Sequence, residues 1–194
     1  SVWSFARPRL VGPMKGLACG PRWGRRSSST VEESPLAAFV KSPVGKWSVG
    51  GCALVWCKTP SLCGALLWGK PSREQVREIT GAFEGYAKLE RRFDVILDAS
   101  RVEGVDLEAL EVLVDWLRLH RTNLIERVRL QRGIAPPGAI GFLVAGILPI
   151  LGETHPFRIF DRPEDAYVEA LGSDSFGAAL ATELDGIVAR ARAM

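Results

Sequence analysis

The side chains best placed for chemistry lie in the segment FDVILDASRVEGVDLEALEVLVDWL, Phe93–Leu117. Asp98 and Ser100 end an apolar run, and Asp106 and Glu108 open an acidic helix start. A carboxylate at the carboxyl end of a central parallel strand sits where open α/β sheets bind ligands. Asp and Ser after a strand are also ordinary turn formers, because their side chains bond nearby backbone amides. The loop therefore reads as a catalytic site, a phosphorylation switch or a strand-to-helix turn, and the turn asks least of the rest of the chain.

The other reactive residues are scattered. Cys19, Cys52, Cys57 and Cys63 are too few and too irregularly spaced for a disulfide framework, and His120 and His155 lie far from them in sequence, so no metal site is expected. Cys52, Cys57 and Cys63 read as reduced thiols packed as small apolar residues. Cys57 and Cys63 have no sequence-adjacent activator. His120, beside Arg118 and Arg121, reads as a basic residue at a helix C-terminus, and His155 as a loop residue before Pro156.

Known phosphate and nucleophile motifs are missing. The connection DASRVEGVD has one glycine where a dinucleotide-binding turn wants three. Neither the P-loop pattern nor a G-x-S-x-G elbow occurs, and GSDSFG at Gly172–Gly177 precedes the final helix instead of following a core strand. The expectation is a protein with no catalytic residue, cofactor or metal.

The elements that would position the Asp98 loop can be read from periodicity. WSVGGCALVWC and LCGALLWG are β-prone runs split by KTPS, which predicts a β-hairpin. PSREQVREITGAFEGYAKLERR follows with Ser72 as N-cap and Gln75 completing a capping box, and Val76, Ile79, Phe83 and Ala87 on one helical face. Burying its three large side chains stabilises by about 1.5 to 3 kcal/mol each. Ordering about 20 residues costs about 1 to 2 kcal/mol apiece. Such a helix needs a sheet to lie on.

FDVIL supplies a strand covered on both faces. Asp106 then caps a helix whose buried stripe is Leu110, Leu113, Val114 and Leu117. A strand at Val128–Gln131 leads into the apolar run Ala139–Leu151, whose thirteen residues include Pro149 and fall short of the ~20 of a membrane span, so a buried helix is expected. PFRIF forms a short strand. RPEDAYVEALG forms a helix with Pro163 in its first turn and Gly172 just past its end. The last segment reads as a helix capped by Asp174, with Phe176, Leu180, Leu184, Ile187, Val188 and Ala191 on one face that must dock on the sheet, pair with a second copy or lead into another module. Alternation at βαβ lengths predicts an α/β fold: a mostly parallel four- to five-stranded sheet with an N-terminal antiparallel hairpin and helices packed on it.

At 194 residues and 47% hydrophobic content, the chain suits one core with additions. Its net charge of +3 misleads, because Ser1–Val31 carries Arg7, Arg9, Lys15, Arg22, Arg25 and Arg26 and no acid, leaving 19 basic against 22 acidic residues elsewhere. That body has no basic field of the kind nucleic-acid binding needs. Residues 1–33 read as a disordered basic extension, with an organelle transit peptide and a nucleic-acid-touching arm as alternatives. Residues 34–172 form the predicted domain, and 173–194 an amphipathic helix.

With the order of elements in hand, Trp47–Leu171 resembles the STAS domain, the family of anti-sigma-factor antagonists and of the cytoplasmic tails of sulfate transporters. The resemblance implies a central strand ending in Asp-x-Ser, matched by Asp98, Ala99 and Ser100, and a helix opening with Asp-Ser-Ser-Gly, whose second serine a partner kinase phosphorylates. Asp106 matches the cap. Leu107, Glu108 and Ala109 replace the two serines and the glycine. Phosphoserine carries about −1.5 to −2 charge and is reversible, whereas glutamate is a fixed −1. In the first helical turn Glu108 also opposes the helix dipole favourably, by about 0.3 to 1 kcal/mol.

The resemblance thus implies a cytoplasmic, non-enzymatic interaction domain that contacts a regulatory protein partner through Asp98, Ser100, Asp106, Glu108 and Ala109. Self-association through the C-terminal helix, no direct nucleic-acid binding and no membrane complete the expectation. The alternative is the sensory half of a bacterial AraC-type transcription regulator, with the C-terminal helix where a connector to a DNA-binding domain begins. No DNA-reading helix pair is recognisable in the sequence up to Met194.

Overall fold

A computed structural model describes residues 32–136, 138, 141, 146 and 156–193. The basic segment 1–31, His155 and nearly all of the apolar run Ala139–Leu151 lie outside the described residues.

The chain folds as an α/β protein around one mixed sheet. Its strands lie side by side in sequence order: β1 (Glu32–Glu33), β2 (Lys46–Gly50), β3 (Ala53–Thr59), β4 (Leu62–Gly69), β5 (Phe93–Val102), β6 (Val128–Ile134) and β7 (Phe157–Phe160). β2–β3 and β3–β4 pair antiparallel, while β4 to β7 run parallel, and the two-residue β1 adds a parallel bridge to β2. The sheet is therefore wider than the four to five strands expected. The two extra strands are the short β1 and one from WSVGGCALVWC, which is itself a hairpin turning at Gly51–Cys52, with Gly51 at φ +54. β6 also runs three residues beyond Gln131.

Five described helices cover the sheet. On one face lie α1 (Leu36–Lys41), α2 (Arg73–Tyr86) and α3 (Leu107–Arg127); on the other lie α4 (Pro163–Leu171) and α5 (Asp174–Arg192). The α2 capping box forms as its sequence dictates: Ser72 Oγ accepts from Gln75 N, and Gln75 Oε1 accepts from Ser72 N at 2.9 Å. α4 starts with Pro163 and ends at Gly172, whose φ of +65 suits glycine. Two expected caps differ. Ser173, not Asp174, is the N-cap of α5, and Asp106 holds the N-cap position of α3 without a side-chain cap bond.

The core divides by face. Toward α4 and α5, Leu54, Trp56, Leu66 and Ile96 meet Tyr167, Leu180, Leu184 and Ile187. The apolar face of α5 thus docks on the chain's own sheet, leaving Phe176 66% exposed. Toward α1 and α2, Val55, Cys57, Cys63, Ala65 and Val95 meet Phe39, Ala82 and Tyr86. The buried face of α2 is Val76, Thr80, Ala82, Gly85 and Tyr86; Ile79 and Phe83 are half-buried and Ala87 is exposed. Tyr86 draws the helix round. Its hydroxyl sits between the carbonyls of Trp56 (3.0 Å) and Gly64 (2.7 Å), with Phe39, Phe83 and Phe93 around its ring.

Candidate functional site

The five residues expected to form one partner surface fall into three environments. Asp98 is 1% exposed on the α4–α5 side, Ala109 is 2% exposed on the other side, and Asp106 and Glu108 are exposed at the start of α3. Ser100 is half-buried.

A bulge in β5 explains the inward turn of Asp98. Leu66 pairs with Asp98 and Trp68 with Arg101, so three steps along β5 match two along β4. The extra residue lets Asp98 and Arg101 share the face that α5 covers. Ser100 closes the bulge as an Asx-type turn, its N–H and hydroxyl donating to Asp98 Oδ1 at 3.0 and 2.6 Å. Arg101 reaches outward to Asp185 of α5 at 2.5 Å, and its Nη1 stands 3.8 Å from Asp98 Oδ2. That pair makes no hydrogen bond, and the buried Tyr167 hydroxyl faces the same carboxylate without reaching bonding geometry.

Burial pushes the Asp98 carboxyl above its ordinary value; the Ser100 bonds and the Arg101 charge pull it back only in part, and Asp185 adds to the rise. Burial, then Asp98, pushes the Tyr167 hydroxyl well up. The cavity on the other face does not reach Asp98. The Asp98 cluster joins the sheet to α5.

A second buried carboxylate, Asp94, went unrecognised in the sequence because it opens an apolar run. It accepts from Arg129 Nε at 2.8 Å and Arg132 Nη1 at 3.1 Å, and Arg132 and Arg158 both reach Glu169 of α4, at 3.0 and 2.8 Å. Burial opposes ionisation of Asp94, but the bonds and charges of the two arginines outweigh it and hold the carboxyl below its ordinary value. Arg129, Arg132 and Arg158 on neighbouring strands were its sequence signal.

The thiols are poor nucleophiles. Cys52, Cys57 and Cys63 are free and buried, and burial raises each, Cys57 to about 12. His120 lies inside α3, not at its end, because the helix continues to Arg127; its Nδ1 is 2.8 Å from the Trp116 carbonyl and its ring stacks on Trp116 at 4.5 Å. Among the described residues no cluster of His, Cys, Asp and Glu could hold a metal ion, and no helix is long and apolar enough to cross a membrane.

One exposed feature is the turn opening α3; Val44, Leu119, Ile159 and Phe176 are the other exposed large apolar side chains among the described residues. Leu107 is 70% exposed at the centre of the turn. Around it Asp106 pairs with Lys70 and Glu108 with Arg73, each at 3.7 Å across the loop from β4 to α2. Exposed pairs of this kind contribute about 0 to 1 kcal/mol, so they break at little cost when a partner binds. An apolar centre inside a charged rim is how protein interfaces are built.

Behind that turn, between α2, α3 and the sheet, lies a cavity of about 190 Å³. Leu110, Leu113, Val114 and Leu117, expected as a buried stripe, are only half-buried, and Leu110, Leu113 and Leu117 line the void. Among the described residues no cysteine, histidine or carboxylate side chain lines it.

No family model, no curated protein and no solved structure matches the chain.

Proposed function

We propose that the chain is a STAS-like, non-enzymatic regulatory domain that acts by contact with a protein partner through the turn Asp106–Leu107–Glu108. The observation that carries this reading is the 70% exposed Leu107 inside the rim of Lys70, Arg73, Asp106 and Glu108. An antiparallel hairpin followed by parallel strands in sequence order supports the STAS-like assignment, with Glu108 in the first helical turn where that family carries its phosphoserine. Asp98 and Ala109, buried, act behind this surface. Asp98 anchors Ser100 and Arg101, and Ala109 lets the turn sit close to the cavity wall.

The test is recovery of tagged protein with its partners from the source cells. The wild type and a Phe176→Ser variant bring down the same partner, and the Leu107→Asp/Glu108→Lys double variant loses it while keeping its circular dichroism spectrum. Equal recovery by the double variant contradicts the reading.

The cavity behind α3 favours a second reading, the sensory half of a bacterial transcription regulator of AraC type. A DNA-binding module in the same reading frame or beside it separates the two.

A further inference from the structure

We propose that the cavity between α2, α3 and the sheet is a binding site for one small uncharged apolar molecule, the size of a one- or two-ring aromatic hydrocarbon. Folded interiors leave few voids larger than a water molecule. An apolar cavity of about 150 Å³ stays dry and takes up benzene. This one, at about 190 Å³, is larger.

Its chemistry selects against charge. Among the described residues no charged side chain lines it; the polar ones are Gln131 and Thr80, whose hydroxyl is turned away to donate to the Arg77 carbonyl at 3.0 Å. Phe83, Trp116 and Phe157 supply aromatic surface, with the Phe83 and Trp116 rings 5.5 Å apart and tilted. The space is open on one side, so a ligand has a way in. A water molecule needs two to four polar partners, and such a wall is poor in them. The cavity thus favours an apolar guest over water and over an ionised one. Binding here bears on the sensory reading, but it is measured on the purified chain without partner or DNA, so its failure and the failure of either functional reading are distinguishable.

The experiment is methyl-detected NMR of the full chain titrated with toluene, and separately with benzoate, its charged counterpart. Toluene saturably shifts the methyls of Val95, Leu113 and Leu117 and leaves those of Leu180 and Leu184, on the opposite face, unmoved; benzoate at the same concentration shifts none. Ala109→Leu and, separately, Ala65→Val, which grow into the void, weaken toluene at least tenfold without lowering the thermal midpoint. If either variant fails to fold, the wild-type titration decides. The proposal is overturned by the absence of saturable shifts up to the solubility of toluene, or by equal shifts on both faces. It is also overturned if both variants lose stability and toluene is not bound, which would mean that the space is filled by protein.

Discussion

Arg101 on β5 binds Asp185 on α5 at 2.5 Å, and this contact is what ties the bulged end of the central strand to the last helix. With its other nitrogen turned toward Asp98, the guanidinium lies between an exposed acid and a buried one. The arrangement makes stability depend on pH in a direction opposite to that of most carboxylates.

Asp98 has a folded-state pKa above its ordinary value of 3.8, so the folded protein binds more protons than the unfolded chain between the two values. Its contribution is greatest below pH 3.8 and is lost as pH rises through the folded pKa. Asp98→Asn keeps an oxygen to accept from Ser100 and removes the titration. Urea unfolding from pH 4 upward is expected to show the wild type losing stability relative to this variant, which at pH 7 is at least as stable. A parallel pair of curves would refute the assignment.

Asp94 has the reverse sign. Its depressed pKa contributes stability above 3.8 that is lost as pH falls through the lower folded value. Arg132→Met leaves Asp94 with Arg129 alone and Glu169 with Arg158 alone, and is expected to cost about 1.5 to 3 kcal/mol. Its acid transition also begins at higher pH, which calorimetry across pH checks.

The two glycines of α5 are expected to behave oppositely. A Cβ at Gly177 would stand 2.7 Å from the Val168 backbone, so Gly177→Ala forces α4 and α5 apart and costs about 1 to 3 kcal/mol. At Gly186 a Cβ meets only the Arg190 guanidinium at 3.7 Å, and Gly186→Ala stabilises by about 0.5 to 1 kcal/mol. Chemical denaturation of the two variants is the check.

Tyr86→Phe removes the hydroxyl between the carbonyls of Trp56 and Gly64 and is expected to cost about 1 to 2 kcal/mol, read from the denaturation midpoint.

Much of the framework was legible because it rests on local chemistry. Ser72 and Gln75 fix the start of α2, Pro163 and Gly172 bracket α4, and the apolar run after Asp94 places the central strand. The misreadings have physical causes. The apolar run from Trp47 to Cys57 hid a turn whose one signal was the Gly50–Gly51 doublet. α1 has six residues, too few to show a period, and begins after Pro35. The direction of Asp98 could not be read from alternation, because β5 is covered on both faces and the bulge at Ser100 breaks the period. Leu110, Leu113 and Leu117 kept the spacing of a buried stripe although they face a void, since periodicity reports a helix's apolar side and not what that side meets.

The docking reading is tested most directly by a photo-reactive amino acid placed at position 107 and, separately, at position 119, where Leu119 is 80% exposed on the same helix. After irradiation in the source cells, position 107 is expected to give one discrete crosslinked protein that position 119 does not. No adduct from 107, or the same adducts from both positions, would contradict the account.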